Sequence, residues 1–122
     1  MINQVTLVGR LTKDPEVRFT ADGRTLLNMT VAVNRPYRNQ EGLSQTDFIY
    51  CTVWNKSAEN TAKYCRKGSL VGVLGMIQTR TYDDKDGKRT YVTEVIVNTI
   101  RFLDKKRNDS TESDMLPILT IP

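Results

Sequence analysis

Large apolar residues alternate with small or polar ones through the centre of this chain, and this alternation restricts the fold more than any other feature. It runs from Leu27 to Asn34, so a strand over this segment would bury one face and expose the other. The segment from Phe48 to Trp54 also divides between two sides of an extended backbone. One side would carry Ile49, Cys51 and Val53, and the other would carry Phe48, Tyr50, Thr52 and Trp54. The pattern therefore predicts two long strands, each with one face in a core.

Shorter patterns before and after these segments predict further strands. We expect them at Val5 to Leu11, Leu70 to Thr79 and Tyr91 to Val97. Val17 to Phe19 continues the sheet after the first of these, and Ile100 to Leu103 finishes the domain. Gly72 and Gly75 indicate a bend or a bulge in the Leu70 strand. Turn signals separate the strands at Asp14-Pro15, at Ala21-Asp22-Gly23 and around Asp86-Gly87.

The connection between the two central strands and the one helix complete the order of elements. Arg35 to Thr46 is expected to be a polar loop, because it is too rich in Arg, Asn, Gln and Gly to pack. Ser57 is the expected N-cap of a helix that runs through Cys65 and ends at Lys67-Gly68.

Three strands, one short helix and two strands, with strong bending, are the element order of a five-stranded Greek-key OB-fold barrel. The predicted class is all-β, with the helix between barrel strands 3 and 4. An SH3-like barrel does not require a helix there, and a β-sandwich requires more strands.

The 122 residues fit one domain that buries roughly two thirds of its unfolded surface. Cys51 and Cys65 match no metal-ligand spacing, so we expect reduced thiols and neither a disulfide framework nor a zinc site. The N-terminus lacks a basic segment before an apolar stretch, and no apolar run approaches membrane-spanning length. The sequence thus predicts a cytoplasmic protein without a membrane anchor.

Basic charge is concentrated in the part of the chain that is expected to fold. Residues 1–103 hold 15 Lys or Arg against 10 Asp or Glu, whereas residues 104–122 hold 3 against 4. A moderately basic domain is compatible with nucleic-acid binding, although charge alone favours it only modestly.

Aromatic residues stand beside cations in the polar stretches, a pattern that suits single-stranded nucleic acid. A cation meets the phosphate while the neighbouring ring stacks on an unpaired base. The candidate stacking residues are Tyr37, Phe48, Trp54 and Tyr82. The candidate phosphate contacts are Arg35, Arg38, Lys56, Arg80, Lys85, Lys88 and Arg89. For each cation the alternative is a solvated surface charge, and for Tyr50 the alternative is packing beneath a loop.

Five segments of the chain together resemble the bacterial single-stranded DNA-binding proteins, the SSB family, over about residues 1–103. They are Asn3 to Gly9, Asp14 to Arg18, Thr30 to Asn34, Lys67 to Ser69 and Thr93 to Asn98. The resemblance carries the family's stacking positions onto Tyr37, Phe48, Trp54 and Tyr82, which are often tryptophan in the family. It also implies a homotetramer, a nucleoid-associated protein and a role in DNA replication, recombination, repair or uptake.

The C-terminus departs from that family. Residues 104–122 offer too little apolar surface to fold alone, so we expect a short disordered tail. Long-tailed members end in acidic residues followed by an apolar residue, Pro and Phe, which dock partner enzymes. Asp114 to Ile118 keeps only a faint version of that motif. The departure predicts weak or absent recruitment of replication and recombination proteins.

The sequence offers little for catalysis or cofactors. The chain has no histidine, the commonest general base and metal ligand. Asp83, Asp84 and Asp86 do not match a calcium loop in register, so no metal and no cofactor are expected. Two alternatives remain: a protein-docking OB-fold subunit of a replication-restart assembly, and a small nuclease, for which the aromatic face offers Asp47 alone.

Overall fold

The computed structural model describes residues 1–104, which form one curved sheet and one helix. The strands are β1 (Val5–Leu11), β2 (Val17–Phe19), β3 (Thr25–Arg38), β4 (Ser44–Trp54), β5 (Leu70–Asp83) and β6 (Arg89–Phe102). The helix α1 (Asn55–Tyr64) lies between β4 and β5. Within these residues no helix is long and apolar enough to cross a membrane.

Five of the strands close into a barrel, which confirms the predicted OB-fold. The sheet order is β1-β5-β6-β4-β3-β2, and β1 also pairs with β3 at Arg10 and Leu11, so the ring closes there. The β4–β6 pairing is parallel, whereas the other pairings are antiparallel. Because β2 pairs only with β3, it is a short addition outside the ring.

The predicted alternation fills the barrel with aliphatic side chains. The buried apolar residues are Leu11, Leu27, Met29, Val31, Cys51, Val53, Ala58, Cys65, Val71, Val73, Val95 and Val97. Both cysteines are free and buried, and burial raises the pKa of Cys51 to about 12. The Cys51 thiol therefore stays protonated and behaves as a small apolar core residue.

Two glycines permit contacts that a side chain would block. A Cβ on Gly9 would lie 2.3 Å from the carbonyl oxygen of Ala32, beside the seam where β1 meets β3. A Cβ on Gly75 would lie 2.1 Å from the carbonyl oxygen of Ile96, where the β5–β6 register shifts. The bulge lies in β6, opposite the irregularity predicted for β5: Leu74 and Gly75 pair with Thr99 and Val97, which leaves Asn98 as the extra residue. Gly72 continues the regular register.

The helix does not begin at the predicted cap. Its N-cap is Trp54, without a side-chain cap bond, and the expected N-cap Ser57 lies inside α1. Asn55 has φ 59°, a left-handed conformation that asparagine tolerates, so β4 turns directly into the helix. The helix also ends earlier in the sequence than predicted: α1 ends at Tyr64, and Gly68 belongs to the following turn.

Asp104 still contacts the barrel, although the sequence analysis placed it in the tail. Its Oδ2 accepts a hydrogen bond from the Leu70 backbone N–H at 2.8 Å, and its Oδ1 lies 3.7 Å from Arg10 Nη1. The remainder of the predicted tail, including Asp114 to Ile118, lies outside the described residues.

Candidate nucleic-acid interface

The outward side of β4 carries the aromatic residues as the sequence predicted. Thr30 pairs with Tyr50, Ala32 with Phe48, and Leu26 with Trp54. The alternate residues Ile49, Cys51 and Val53 face the core. We call the outward side, with Phe48, Tyr50, Thr52 and Trp54, the aromatic face. Phe48 is 66% exposed there, whereas Tyr50 and Trp54 are half-buried.

The β3–β4 arm, residues 34–47, replaces the predicted polar loop over residues 35–46. β3 continues to Arg38 and β4 begins at Ser44, so only a turn over residues 39–43 remains. Tyr37 lies on this arm and is 62% exposed. The register shifts between Asn34 and Arg38, a stretch that includes Pro36, whose nitrogen cannot donate to the ladder.

Polar pairs across the arm explain why the loop prediction was wrong. Arg35 donates from Nε and Nη2 to the two carboxylate oxygens of Asp47, each at 2.9 Å. This hydrogen bonding, with the opposite charge, raises the pKa of Arg35 and lowers the pKa of Asp47. The Thr46 hydroxyl donates to Asn34 Oδ1 at 2.8 Å. Such cross-strand pairs stabilise an arm that has no core of its own.

Tyr82 lies on a second arm, formed by residues 78–94 of β5 and β6, and comes close to Tyr50. Tyr50, Arg80, Tyr82 and Val92 line one open cavity. Tyr82 is 48% exposed, and the Arg80 guanidinium carbon lies 6.0 Å from its ring centroid. Tyr50 is therefore a wall of this groove and does not pack beneath a loop.

A chain of hydrogen-bonded polar side chains crosses the aromatic face between Tyr50 and Trp54. Its members, from β2 to β5, are Arg18, Asn28, Thr52, Glu94 and Arg80. We call it the polar chain. Arg18, Asn28 and Glu94 are not among the site residues predicted from the sequence, although Asn28 stands on the outward side of an alternating strand.

Glu94 is the centre of the polar chain and is only 5% exposed. Its Oε1 accepts a hydrogen bond from the Thr52 hydroxyl at 2.6 Å, and its Oε2 accepts one from Arg80 Nε at 2.9 Å. Asn28 Nδ2 donates to Thr52 Oγ1 at 3.1 Å, and Arg18 donates to Asn28 Oδ1. Both carboxylate oxygens are satisfied, as a buried charge requires.

A cation lies closer to the Trp54 ring than Arg80 does to the Tyr82 ring. The guanidinium carbon of Arg24 lies 4.5 Å from the Trp54 ring centroid, within the range of a cation–π contact. Arg24 follows a predicted turn and precedes the alternating segment, so its place in the sequence does not indicate this contact.

The seven candidate phosphate contacts fall into two groups. Arg35, Arg38 and Arg80 hydrogen-bond within the protein: Arg35 to Asp47, Arg38 Nη1 to the Gly42 carbonyl at 3.0 Å, and Arg80 to Glu94. The other four are Lys56, Lys85, Lys88 and Arg89, and all seven are exposed. Lys56 follows Trp54 closely, whereas Lys85, Lys88 and Arg89 cluster at the turn of the second arm.

One aspartate at that turn, Asp84, binds the backbone of the turn. Asp84 Oδ1 accepts hydrogen bonds from the backbone N–H groups of Asp86, at 2.9 Å, and Lys88, at 2.8 Å. Across residues 1–104, no group of three or more His, Cys, Asp or Glu side chains is placed to hold a metal ion.

The sequence of this chain matches a known protein family and its members. The model of the single-strand binding protein family matches residues 2–103. Single-stranded DNA-binding protein B of Bacillus subtilis (strain 168) is 56% identical over 106 residues, which are 87% of this chain and 94% of that protein. The family consists of DNA-binding proteins that are not enzymes.

Two longer relatives extend the comparison. The single-stranded DNA-binding protein of Halalkalibacterium halodurans is 54% identical over 110 residues, 90% of this chain and 66% of its own length. Single-stranded DNA-binding protein 3 of Listeria innocua is 54% identical over 108 residues, 88% of this chain and 68% of its own length. The match spans the whole barrel, both arms and the aromatic face, and the chain belongs to the single-strand binding protein family.

Proposed function

We propose that this chain binds and coats single-stranded DNA, with little sequence preference, during replication, recombination, repair or DNA uptake. The observation that carries the proposal is the aromatic face, with exposed Phe48 and the groove between Tyr50 and Tyr82 on one side of the barrel. Unpaired bases can stack on such rings whatever their identity, because every base has a π-face.

The proposed binding residues are those selected from the sequence, together with Tyr50. Bases stack on Tyr37, Phe48, Trp54 and Tyr82, while Tyr50 forms the wall of the groove beside Tyr82. The phosphate contacts are Arg35, Arg38, Lys56, Arg80, Lys85, Lys88 and Arg89. The satisfied carboxylates of Asp47 and Glu94 keep two of these arginines ordered and partly offset their charge.

A titration with oligo(dT) and with a hairpin duplex of the same length tests this function. Trp54, the chain's one tryptophan, reports binding by fluorescence. We expect quenching by the single strand and a much weaker response to the duplex, because stacked pairs hide the base faces. Equal affinity for both would contradict the proposal, and binding to neither would favour the protein-docking alternative.

We further propose that the chain assembles as a homotetramer through the outer side of β1 and β5. β1 pairs with β5 from Val5 to Arg10 but with β3 only at Arg10 and Leu11, so most of one β1 edge is unpaired within residues 1–104. Val8 is 54% exposed and Leu74 is 38% exposed on this side. An open edge beside apolar side chains suits pairing with a second copy. Native mass spectrometry should give a mass four times that of the chain.

The proposed coating of single-stranded DNA also implies a cellular location and bears on the recruitment of partner proteins. The proposed setting is the cytoplasm, at the nucleoid, where single strands arise. In Asp114 to Ile118 one acid precedes Met-Leu-Pro-Ile, whereas the docking motif has several acids before an apolar residue, Pro and Phe, so we propose weak or absent recruitment of replication and recombination proteins. A pull-down that compares the full chain with residues 1–104 tests this, and strong capture that is lost on truncation would contradict it.

A further inference from the structure

Arg24 occupies the position over Trp54 in which a base would stack. Its guanidinium carbon is 4.5 Å from the ring centroid, and a guanidinium is planar and stacks on aromatic faces as a base does. Trp54 is half-buried, whereas Phe48 is 66% exposed and has no cation over its ring among residues 1–104. A DNA strand therefore meets, at Trp54, a ring that Arg24 already covers in the free protein.

The β2–β3 turn fixes the backbone of Arg24. Its N–H donates to Thr20 Oγ1 at 3.0 Å, and its carbonyl accepts the Thr20 N–H at 2.8 Å. Gly23, at φ 87°, completes the tight turn. Because both backbone groups are held, a rotation of the Arg24 side chain is sufficient to uncover Trp54, and the turn itself does not need to move.

The ionic partner of Arg24 is also exposed and therefore exchangeable. Arg24 Nε donates to Asp22 Oδ2 at 3.1 Å, with side chains 55% and 62% exposed. The hydrogen bond from Thr20, together with the charge of Arg24, lowers the pKa of Asp22, so its carboxylate is ionised at neutral pH. An exposed pair of this kind is weak, and a phosphate can replace the carboxylate as the partner of the guanidinium.

We propose that Arg24 is a further strand-binding residue, which covers Trp54 in the free protein and passes to a backbone phosphate when a base takes its place. The inference rests on the proposed binding of single-stranded DNA and adds a residue that the aromatic pattern does not reveal. In the complex Trp54 stacks on the base, and Arg24 binds the phosphate of that nucleotide or of its neighbour.

Two substitutions separate the stacking of Arg24 from its charge. R24A removes both, whereas R24K keeps the charge and loses the planar group. Arg66→Ala is the matched control, because Arg66 is an exposed arginine that hydrogen-bonds the carbonyl of Cys65 beyond α1. Far-UV circular dichroism and a urea unfolding curve establish that each variant is folded.

The first measurement is collisional quenching of Trp54 by acrylamide without DNA. We expect higher accessibility in both R24A and R24K than in the wild type and in the Arg66→Ala control. Unchanged accessibility in both variants would show that Arg24 does not cover the ring, and would overturn the proposal.

The second measurement is the salt dependence of oligo(dT) affinity. Loss of one phosphate contact should flatten the log-log slope by about 0.7 in R24A, so the wild type should lose about threefold more affinity than R24A over a fourfold rise in salt. R24K should keep the wild-type slope. An unchanged slope in R24A, with equal or higher affinity, would overturn the proposal. Failure of the wild type itself to bind oligo(dT) would instead contradict the proposed function.

Discussion

The buried carboxylate of Glu94 holds the guanidinium of Arg80, with Oε2 and Nε 2.9 Å apart. This contact places a negative charge beneath a surface that is proposed to bind a polyanion. The charge is tolerable because Arg80 and the Thr52 hydroxyl each hydrogen-bond one oxygen of the Glu94 carboxylate. The aromatic face therefore presents little unpaired negative charge to a DNA strand.

Glu94→Gln should destabilise the fold. The amide can accept only at its single oxygen, so either Arg80 or Thr52 loses its acceptor. We expect a loss of about 1 to 3 kcal/mol in the free energy of unfolding, measured by urea denaturation. Glu41→Gln, at the exposed turn of the β3–β4 arm, is the control and should change stability little. Equal stability of the two variants would show that the polar chain does not stabilise the barrel.

Phe48→Ala should weaken binding to oligo(dT) by about 1 to 3 kcal/mol, the usual cost of losing one stacking platform. Stability should change little, because Phe48 is 66% exposed. Tyr64→Ala is the matched control: Tyr64 is 61% exposed, but it lies on α1 against Phe102, with ring centroids 5.9 Å apart. If both variants bind oligo(dT) as the wild type does, Phe48 is not a stacking residue.

Lys56→Ala should flatten the salt dependence of binding. Each phosphate neutralised by a cation contributes about −0.7 to the log-log slope for a single strand. Lys56 is exposed just after Trp54, whereas Lys63 is near the end of α1, with its Nζ 5.2 Å from the Tyr64 ring centroid. Affinities at several salt concentrations should therefore change slope for Lys56→Ala and not for Lys63→Ala. The same slope in both variants would mean that Lys56 faces solvent in the complex.

Stability should fall above about pH 9, in part because of Cys51. In the unfolded chain this thiol ionises near its ordinary pKa of 9.0, whereas burial raises the pKa in the folded state to about 12. The unfolded state therefore loses its proton first, and stability decreases from about pH 9 towards pH 12. Urea unfolding from pH 8 to pH 10.5 should show a weaker decline for Cys51→Val than for the wild type. Parallel declines would exclude this contribution.

Truncation after Asp104 should leave stability and oligo(dT) affinity nearly unchanged, whereas truncation after Leu103 should lower stability. The longer form keeps the Asp104 carboxylate that accepts the Leu70 N–H at 2.8 Å, and the shorter form loses it. Thermal unfolding of the two forms checks the difference. Indistinguishable midpoints would show that this contact contributes nothing measurable.

The fold could be predicted from the sequence because period-two alternation decides which side of a strand is buried. That alternation placed Tyr50 on the outward side of β4, where it pairs with Thr30. The start of α1 could not be predicted in the same way. The chain enters the helix through the left-handed conformation of Asn55, without the side-chain cap that was expected from Ser57. The β3–β4 arm was missed because pairs such as Arg35 with Asp47 stabilise strands without any apolar signal.

The candidate site was predictable only as far as its aromatic pattern. Phe48, Trp54 and Tyr82 stood out by their neighbours along the chain, whereas the contact between Arg24 and Trp54 depends on a turn geometry that spacing does not reveal. Glu94 was missed for a related reason. Its partners Thr52 and Arg80 lie on two other strands, and they meet it only because the barrel closes.

The closure of the barrel between β1 and β3 depends on the absence of a Cβ atom at Gly9. Where β1 reaches β3, Gly9 lets the carbonyl oxygen of Ala32 occupy the space that any Cβ would take, at 2.3 Å. Only Arg10 and Leu11 then pair across this line. A methyl group at position 9 would act as a wedge at the narrowest join of the cylinder and favour an uncurled sheet. In such a sheet the outward side of β4 would lose its curvature, so the absence of a side chain at position 9 of β1 helps to set the shape of the surface proposed to bind single-stranded DNA.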